Sequence, residues 1–194
     1  MKTIRLLIVA IVLVFLCLSC RKDDYYPVTK LDRKMIPYQI GDTVRFINDK
    51  GDRVTLVATK ETSSWDNHEY IYEEHLMVLL EADSGDDYDL GIGINGFNDG
   101  YDERRRLGFI MRAFGGVMVA YNSAGAFVTW GGIYAAYDSV VIGNRIYYDV
   151  AKGHFYAEGG PYYGYYNKTH GVLQMISGGK TVFTLDTVIF AGAR

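Results

Sequence analysis

The residues in this chain with the clearest potential for specific chemistry are aromatic. The segment GGPYYGYYNKTHG carries four tyrosines around one glycine, namely Tyr162, Tyr163, Tyr165 and Tyr166 around Gly164. Flat amphipathic rings stack on the apolar faces of sugars and donate hydrogen bonds through their hydroxyls. We therefore predict that this tract, extended by Trp65 or Trp130, is a ligand-binding surface with carbohydrate as the expected ligand. The alternative is that the rings pack a core and cover cross-strand neighbours.

Alternation limits how these tyrosines can cooperate. Successive side chains of a β-strand point to opposite faces, so the middle two tyrosines can share one face and the outer two the other. All four share a face only if Gly164 forms a bulge. A useful sugar site needs several rings on one accessible face, since one ring contributes on the order of 1 kcal/mol.

A glycine motif in the middle of the chain suggests a nucleotide site at first sight. Gly91, Gly93 and Gly96 satisfy G-x-G-x-x-G. The dinucleotide fingerprint requires a helix to begin there, so that its amides face the pyrophosphate, whereas the residues at 97–100 are FNDG, typical of a loop. We instead expect the glycines at 91 and 93 to leave a sheet surface bare for an aromatic ring to cover. No cofactor is predicted.

Two charged clusters have ordinary explanations. Asp83, Asp86, Asp87 and Asp89 gather around Gly85 and could supply oxygen ligands to calcium, but the spacing is not that of an EF-hand and no glutamate closes the loop. We expect an acidic solvated turn there and predict no metal. The arginines at 104–106 follow two acids at 102–103 and are expected to form a charged strand end that discourages edge pairing.

The sequence contains no catalytic constellation. The histidines are scattered, no G-x-S-x-G or H-E-x-x-H motif occurs, and nothing in the sequence pairs the carboxylates of Glu73, Glu74 and Glu158. We therefore predict that the protein is not an enzyme. A hydrolase acting on glycans, with a site assembled from distant residues, remains the third alternative.

Composition and periodicity predict an all-β domain. The chain has 17 Tyr, 9 Phe and 22 Gly but only 3 Pro, and alternating apolar segments separated by turn signals dominate from Tyr38 onward. The segment at 69–83 also suits a helix, but the alternation that follows it favours a hairpin. Gly143-Asn144 is a favoured two-residue hairpin turn. We predict a single antiparallel β domain over 38–194, a meander forming a sandwich, a barrel or a strongly curved half-barrel.

The first nineteen residues have the three parts of a secretory signal. Lys2 and Arg5 form a basic region, residues 6–18 form an apolar region, and Ser19 is the small residue needed at a cleavage site. The apolar region is shorter than the roughly 20 residues that span a bilayer. We therefore predict a cleaved signal peptide over 1–19.

A cysteine follows that small residue, so the segment resembles a bacterial lipoprotein signal peptide. The resemblance implies that Cys20 is acylated and becomes the new N-terminus, although Cys17 and Leu18 stand where the pattern prefers leucine and a small residue. Two or three acyl chains give lasting membrane attachment. The alternative is an ordinary secretory signal. Residues 20–37 contain charges and two prolines without periodicity, and we predict that they form a flexible tether.

The residues after Cys20 resemble the export signal of Bacteroidetes-type surface lipoproteins. Lys22, Asp23 and Asp24 provide the lysine followed by acids, which implies a location on the outer face of the outer membrane. The alternative is a solvated charged spacer. Because Cys17 and Cys20 are the only cysteines, disulfides, thiolate catalysis and Cys-ligated zinc are excluded after cleavage and acylation.

Three short motifs resemble the O-glycosylation acceptor of exported Bacteroidetes-type proteins. Each has an Asp, a Ser or Thr and an apolar residue, with Thr43, Ser139 and Thr187 as the candidate acceptors. Strand starts also favour Thr and Val. The order of tether, YQIGDTVRFINDKGDRVTLV, YYNKTHGVLQM and TVFTL further resembles the small all-β lipoproteins of unknown function in such bacteria.

These observations predict a surface-exposed lipoprotein, anchored in the outer membrane, whose domain is a non-catalytic binding or accessory module for carbohydrate. The alternative function is a structural component that contacts other envelope proteins. The expected partners are the membrane, through the lipid, and a glycan or an envelope protein. The net charge of −3 argues against a nucleic-acid partner, which would require a basic face.

Overall fold

The computed structural model describes residues 24–68, 71–82, 89–95, 105–111, 115–121, 124–127, 134–157 and 160–192. Within these ranges the chain forms one short helix and twelve strands. They are β1 (Asp24–Tyr26), α1 (Lys30–Met35), β2 (Thr43–Asn48), β3 (Arg53–His68), β4 (Ile71–Ala82), β5 (Asp89–Asn95), β6 (Arg105–Met111), β7 (Gly115–Tyr121), β8 (Ala135–Ile142), β9 (Arg145–Ala157), β10 (Gly160–Asn167), β11 (Gly171–Ser177) and β12 (Lys180–Ile189).

The strands form a single sheet that is antiparallel along its whole main path. The order is β7-β6-β5-β4-β3-β2-β12-β11-β10-β9-β8, and β1 pairs in parallel with β4 at its side. The sheet curves until it is nearly closed into a barrel-like shape, with β7 in contact with β9 and β10. This confirms the all-β prediction. Of the three architectures proposed from the sequence, the structure matches the barrel most closely.

The sheet closes at two glycines. A Cβ atom added at Gly153 in β9 would lie 1.6 Å from the carbonyl oxygen of Met118 in β7, and one added at Gly164 in β10 would lie 2.6 Å from ring atoms of Phe109. No side chain fits at either position, so the absence of Cβ atoms allows β7 and β6 to approach the inner face of β9 and β10 directly.

Alternation places the core on the inner face. In the hairpin of β2 and β3, Val44 and Phe46 are buried while Arg45 is half-buried, as strand alternation requires. The ambiguous segment forms strand β4, with Leu76 and Val78 buried. Aromatic rings cross the interior from several strands, such as Phe46 against Phe183 and Phe109 against Tyr166, whose centroids are 6.1 Å and 5.7 Å apart respectively.

Helix α1 begins with a capping box. The Thr29 hydroxyl accepts a hydrogen bond from the Asp32 amide, and the Asp32 carboxylate accepts one from the Thr29 amide. Asp32 also accepts a hydrogen bond of 3.0 Å from the buried Tyr121 hydroxyl, and the Tyr166 hydroxyl donates to the carbonyl oxygen of Met35. The helix is therefore fixed to the interior of the sheet by two buried tyrosines.

The sequence predicts a flexible tether over residues 20–37, but from Asp24 onward the structure shows ordered elements packed on the domain. β1 pairs with β4, the amide of Val28 donates to Glu74, and Met35 and Ile36 belong to the hydrophobic core. A run of charges without periodicity concealed a helix of six residues, because so short a helix needs only one or two apolar positions to face the core.

We call the end of the sheet that α1 covers the helix end, and the opposite end the turn end. The turns at 49–52 and 178–179 lie at the turn end. The last residue of β7, the turn between β8 and β9, and the first and last described residues lie at the helix end. The described residues contain no helix with the length and apolar character needed to cross a membrane.

Candidate binding surface

The tyrosine tract forms β10, whose alternation divides the four rings between two faces. Tyr162 and Tyr166 point inward with Gly164, and Tyr166 is completely buried. Burial raises the pKa of the Tyr166 hydroxyl well above 10.0, and the neighbouring Tyr38 and Tyr121 raise it further. Tyr166 therefore belongs to the core and is not accessible to a ligand, whereas Tyr162 is half-buried on the same side of the strand.

Tyr163 and Tyr165 share the outer face of β10, and both are half-buried. The Lys152 ammonium on β9 lies 5.0 Å from the ring centroid of Tyr163 and 5.8 Å from that of Tyr165. These distances are within the range of cation–π attraction. The His154 ring stacks on Tyr163, with centroids 5.3 Å apart and an angle of 27° between the planes.

Polar groups on the next two strands extend this surface. Gln174 on β11 stands opposite Tyr165 in the strand register, and its amide donates a hydrogen bond of 3.3 Å to the Thr184 hydroxyl on β12. Two aromatic rings, an ammonium and an amide therefore lie on adjacent strands of one outer face. We call Lys152, Tyr163, Tyr165 and Gln174 the tyrosine face.

Sequence reasoning missed Lys152 and Gln174 as members of this surface. They are 11 and 9 residues from the nearest of the two outward tyrosines, and only the pairing of β9 and β11 with β10 brings them beside the rings. The signal that could have found them is alternation, because every second residue of a neighbouring strand shares a face with the outward tyrosines. Using that signal requires the strand register, which the sequence alone does not provide.

Trp65 lies elsewhere. It is on the long pair formed by β3 and β4, where Tyr25 of β1 stacks on Tyr72 at 4.8 Å between centroids and meets Trp65 edge to face at 6.3 Å. We call this cluster of Tyr25, Trp65 and Tyr72 the aromatic arm. Three strands separate β3 from β10 in the sheet, so Trp65 does not join the tyrosine face. Trp130 is not among the described residues.

A second concave surface lies on the outer face of β4 to β7. Gly91 and Gly93 occupy strand β5, with Leu90, Ile92 and Ile94 fully buried on its other face, as expected from alternation. Among the residues that the structure describes, methionine borders the bare surface, since the Met77 sulfur lies 3.6 Å from a Cβ added at Gly91, and none of their aromatic rings lies within 4 Å of a Cβ added at either glycine. The resulting glycine trough has a volume of about 610 Å³ and is lined mainly by Met77, Leu79, Gly91, Gly93, Ile110 and Met118.

His75 and His170 lie in separate parts of the sheet. Nε2 of His75 lies 3.2 Å from Asp66 and 3.8 Å from Glu73, but Asp66 is more than half exposed, so water screens this group. His170 lines a cleft of about 500 Å³ beside Arg145 and Tyr147, where burial lowers its pKa below 6.5 and the Arg145 charge lowers it further.

No group of three or more metal-ligating side chains occurs among the residues that the structure describes. The acidic cluster considered for calcium falls almost entirely at 83–88, which the structure does not describe, and Asp89 begins β5. Arg106, near the start of β6, is exposed, in keeping with the expected charged strand end, while the arginine at 104 lies outside the described ranges.

The residues predicted to carry the lipid, the export signal and the O-linked sugars lie at the start of the chain and on three strands. Cys20, Lys22 and Asp23 precede the first described residue, and Asp24 begins β1. Of the three glycosylation candidates, Ser139 is exposed on β8 whereas Thr43 and Thr187 are half-buried. Asp42, before Thr43, is buried and accepts hydrogen bonds from the Gln39 and Ala191 amides, which gives that aspartate a structural role.

Comparisons with protein-family models, curated proteins and solved structures found no match to this chain.

Proposed function

We propose that this chain is a lipoprotein anchored in the outer membrane and facing the exterior, and that its β domain is a non-catalytic module that binds carbohydrate on the tyrosine face. The observation that supports this function best is that Tyr163 and Tyr165 share one outer face with the Lys152 ammonium, which lies 5.0 Å and 5.8 Å from their respective ring centroids. The lipid on Cys20 and the export role of Lys22, Asp23 and Asp24 rest on the sequence pattern.

The chemistry of the tyrosine face suits a sugar chain. The two rings offer apolar surface and hydroxyls to a pyranose, and the Gln174 amide can donate and accept hydrogen bonds. Lys152 adds a positive charge beside the rings. An ammonium there favours sugars that carry a carboxylate or a sulfate, because charge-assisted hydrogen bonds are about twice as strong as neutral ones.

A glycan array probed with the chain from Arg21 onward tests this function. We expect retention on a restricted set of glycans, with acidic ones preferred. Tyr165→Ala should weaken retention several-fold, while Tyr148→Ala, which removes an exposed tyrosine of β9 beyond the end of β10, should leave it intact. Equal retention of both variants, or of the wild type on every glycan, would contradict the proposed function.

The glycine trough favours a second candidate, assembly with another envelope protein. Met77 and Ile110 are exposed beside three glycines of β5 and β6, and an exposed apolar patch of this kind marks protein contacts. A photo-crosslinking residue at position 110 in living cells should then give one discrete adduct, whereas the same residue at position 148 should not. Identical crosslinked products at both positions would contradict assembly through the trough.

A further inference from the structure

The exposed apolar side chains are concentrated at one end of the molecule. Eleven large hydrophobic residues are exposed in the described ranges, and two of them, Met77 and Ile110, line the glycine trough on the side of the sheet. The other nine lie at the helix end. They are Tyr25, Ile40, Trp65, Tyr137, Val141, Ile146, Tyr148, Ile189 and Phe190.

The strand register places these nine residues at the same end although they come from different elements. Ile40 lies between α1 and β2, and Ile189 ends β12 opposite Thr43 at the start of β2. Val141 and Ile146 face each other beside the turn that joins β8 to β9. In the sheet order four strands separate the hairpin of β8 and β9 from the aromatic arm, so the apolar groups surround the helix end instead of forming one strip.

The N-terminus of the described chain emerges at this same end. Asp24 pairs with Ile71, where β4 begins at the tip of the aromatic arm. Only residues 21–23 separate Asp24 from Cys20, and four residue steps span at most about 14 Å. An acyl group on Cys20 would therefore hold the aromatic arm within this distance of the bilayer surface.

We propose that the helix end of the domain docks on the surface of the lipid bilayer, with the aromatic arm and the tip of the β8 and β9 hairpin in the headgroup region. This inference rests on the lipid anchor of the proposed function. Tyrosine and tryptophan are the residues enriched at membrane–water interfaces, because each combines an apolar body with a polar tip. Exposed charges of both signs lie at the same end, among them Lys30, Lys34, Asp66 and Asp138, so the docking rests on the apolar side chains and the anchor.

The docked orientation has a consequence for the tyrosine face. That face lies on the side of the sheet, on β9 to β11 between the two ends, so docking through the helix end leaves it open to solvent. The turn end then points away from the membrane. Lipid docking and glycan binding thus use different surfaces and can occur together.

The test uses the acylated chain, which begins at Cys20, in vesicles of phosphatidylethanolamine and phosphatidylglycerol, with or without bromine on the acyl chains of the lipids. Bromine quenches tryptophan at short range, and the emission of Trp65 is obtained as the difference between the wild type and Trp65→Phe. We expect most of the Trp65 emission to be lost on brominated vesicles. In the Trp65→Phe background, Tyr148→Trp should be quenched as well, whereas Ile110→Trp, on the side of the sheet, should not.

Flotation of the same vesicles separates the two proposals. A chain that floats with the vesicles but shows no quenching at Trp65 retains its anchor and overturns the docked orientation. A chain that does not float overturns the anchor, and the docking with it. Equal quenching at positions 65 and 110 also overturns a specific orientation. In detergent without lipid, Trp65 could instead become less accessible to solvent as the protein concentration rises. That result would assign the helix end to a second copy of the chain.

Discussion

At the scale of single residues, burial and not residue type decides which tyrosines a ligand can contact. Tyr163 and Tyr166 have the same chemistry and lie three residues apart, but one stacks on His154 at the outer face while the other donates to the backbone at Met35 in the core. The sequence restricted each face to two rings. It could not identify the inner face, because both faces of the strand carry tyrosine and no periodic contrast distinguishes them.

The buried hydroxyl of Tyr166 gives a first prediction. Tyr166→Phe removes the hydrogen bond to the Met35 carbonyl oxygen and should reduce the free energy of unfolding by about 1 to 2 kcal/mol, because the carbonyl loses a partner while buried. Urea denaturation at neutral pH measures this. Tyr163→Phe, whose ring is on the outer face, is the matched control and should change stability by less than about 0.5 kcal/mol.

The same residue gives a second prediction about pH. The folded state raises the pKa of Tyr166 above 10.0, so above pH 10 the unfolded chain releases a proton that the folded chain retains. The contribution of Tyr166 to stability is therefore fully present below pH 10 and is lost as the pH rises towards the raised value. Urea midpoints from pH 9 to 11 should fall more steeply for the wild type than for Tyr166→Phe; parallel curves would contradict this prediction.

At the scale of elements, the sequence predicted the strands far better than the segment before them. Alternating apolar positions marked β2 to β4, and Gly143-Asn144 marked the turn between β8 and β9, because each signal is local. The pairing of β1 with β4 and the burial of α1 are long-range contacts. No local pattern distinguishes so short a helix from a tether, so the sequence predicts a domain that starts at Tyr38, whereas the core of the structure includes Met35.

A third prediction concerns the start of α1. Thr29→Ala removes the side-chain cap from the helix and should cost about 1 kcal/mol of stability, since the helix packs on the core of the domain. Thermal unfolding of the variant measures the loss. Lys34→Ala changes an exposed side chain in the last turn of the same helix and serves as the control. If both variants unfold at the same temperature as the wild type, α1 is not part of the structure that unfolds cooperatively.

At the scale of the whole molecule, closure of the sheet depends on Gly153. Gly153→Ala would place a methyl group 1.6 Å from the Met118 carbonyl oxygen, so β7 must move away from β9, and we expect a loss of at least about 3 kcal/mol. Gly108→Ala is the matched control, because its added methyl group would lie at an ordinary 3.8 Å from Met118. Unfolding in urea compares the two, and equal stability would show that β7 does not contact β9 closely.

The closed sheet also separates the surfaces of the molecule. The tyrosine face and the glycine trough lie on different strands of the outer face, and the apolar residues around α1 lie at the helix end. Such a separation allows one small domain to contact a membrane and a ligand at the same time. It also makes each role testable by substitutions that leave the others unchanged.

The central claim, recognition of a sugar by the tyrosine face, is tested most directly by calorimetric titration with the glycan that the array retains best. The double variant Tyr163→Ala, Tyr165→Ala should raise the Kd by at least about tenfold, as expected for the loss of two stacking rings at about 1 kcal/mol each. Lys152→Gln should weaken binding of acidic glycans more than that of neutral ones. An unchanged Kd in the double variant, with its fold intact by circular dichroism, would contradict the claim.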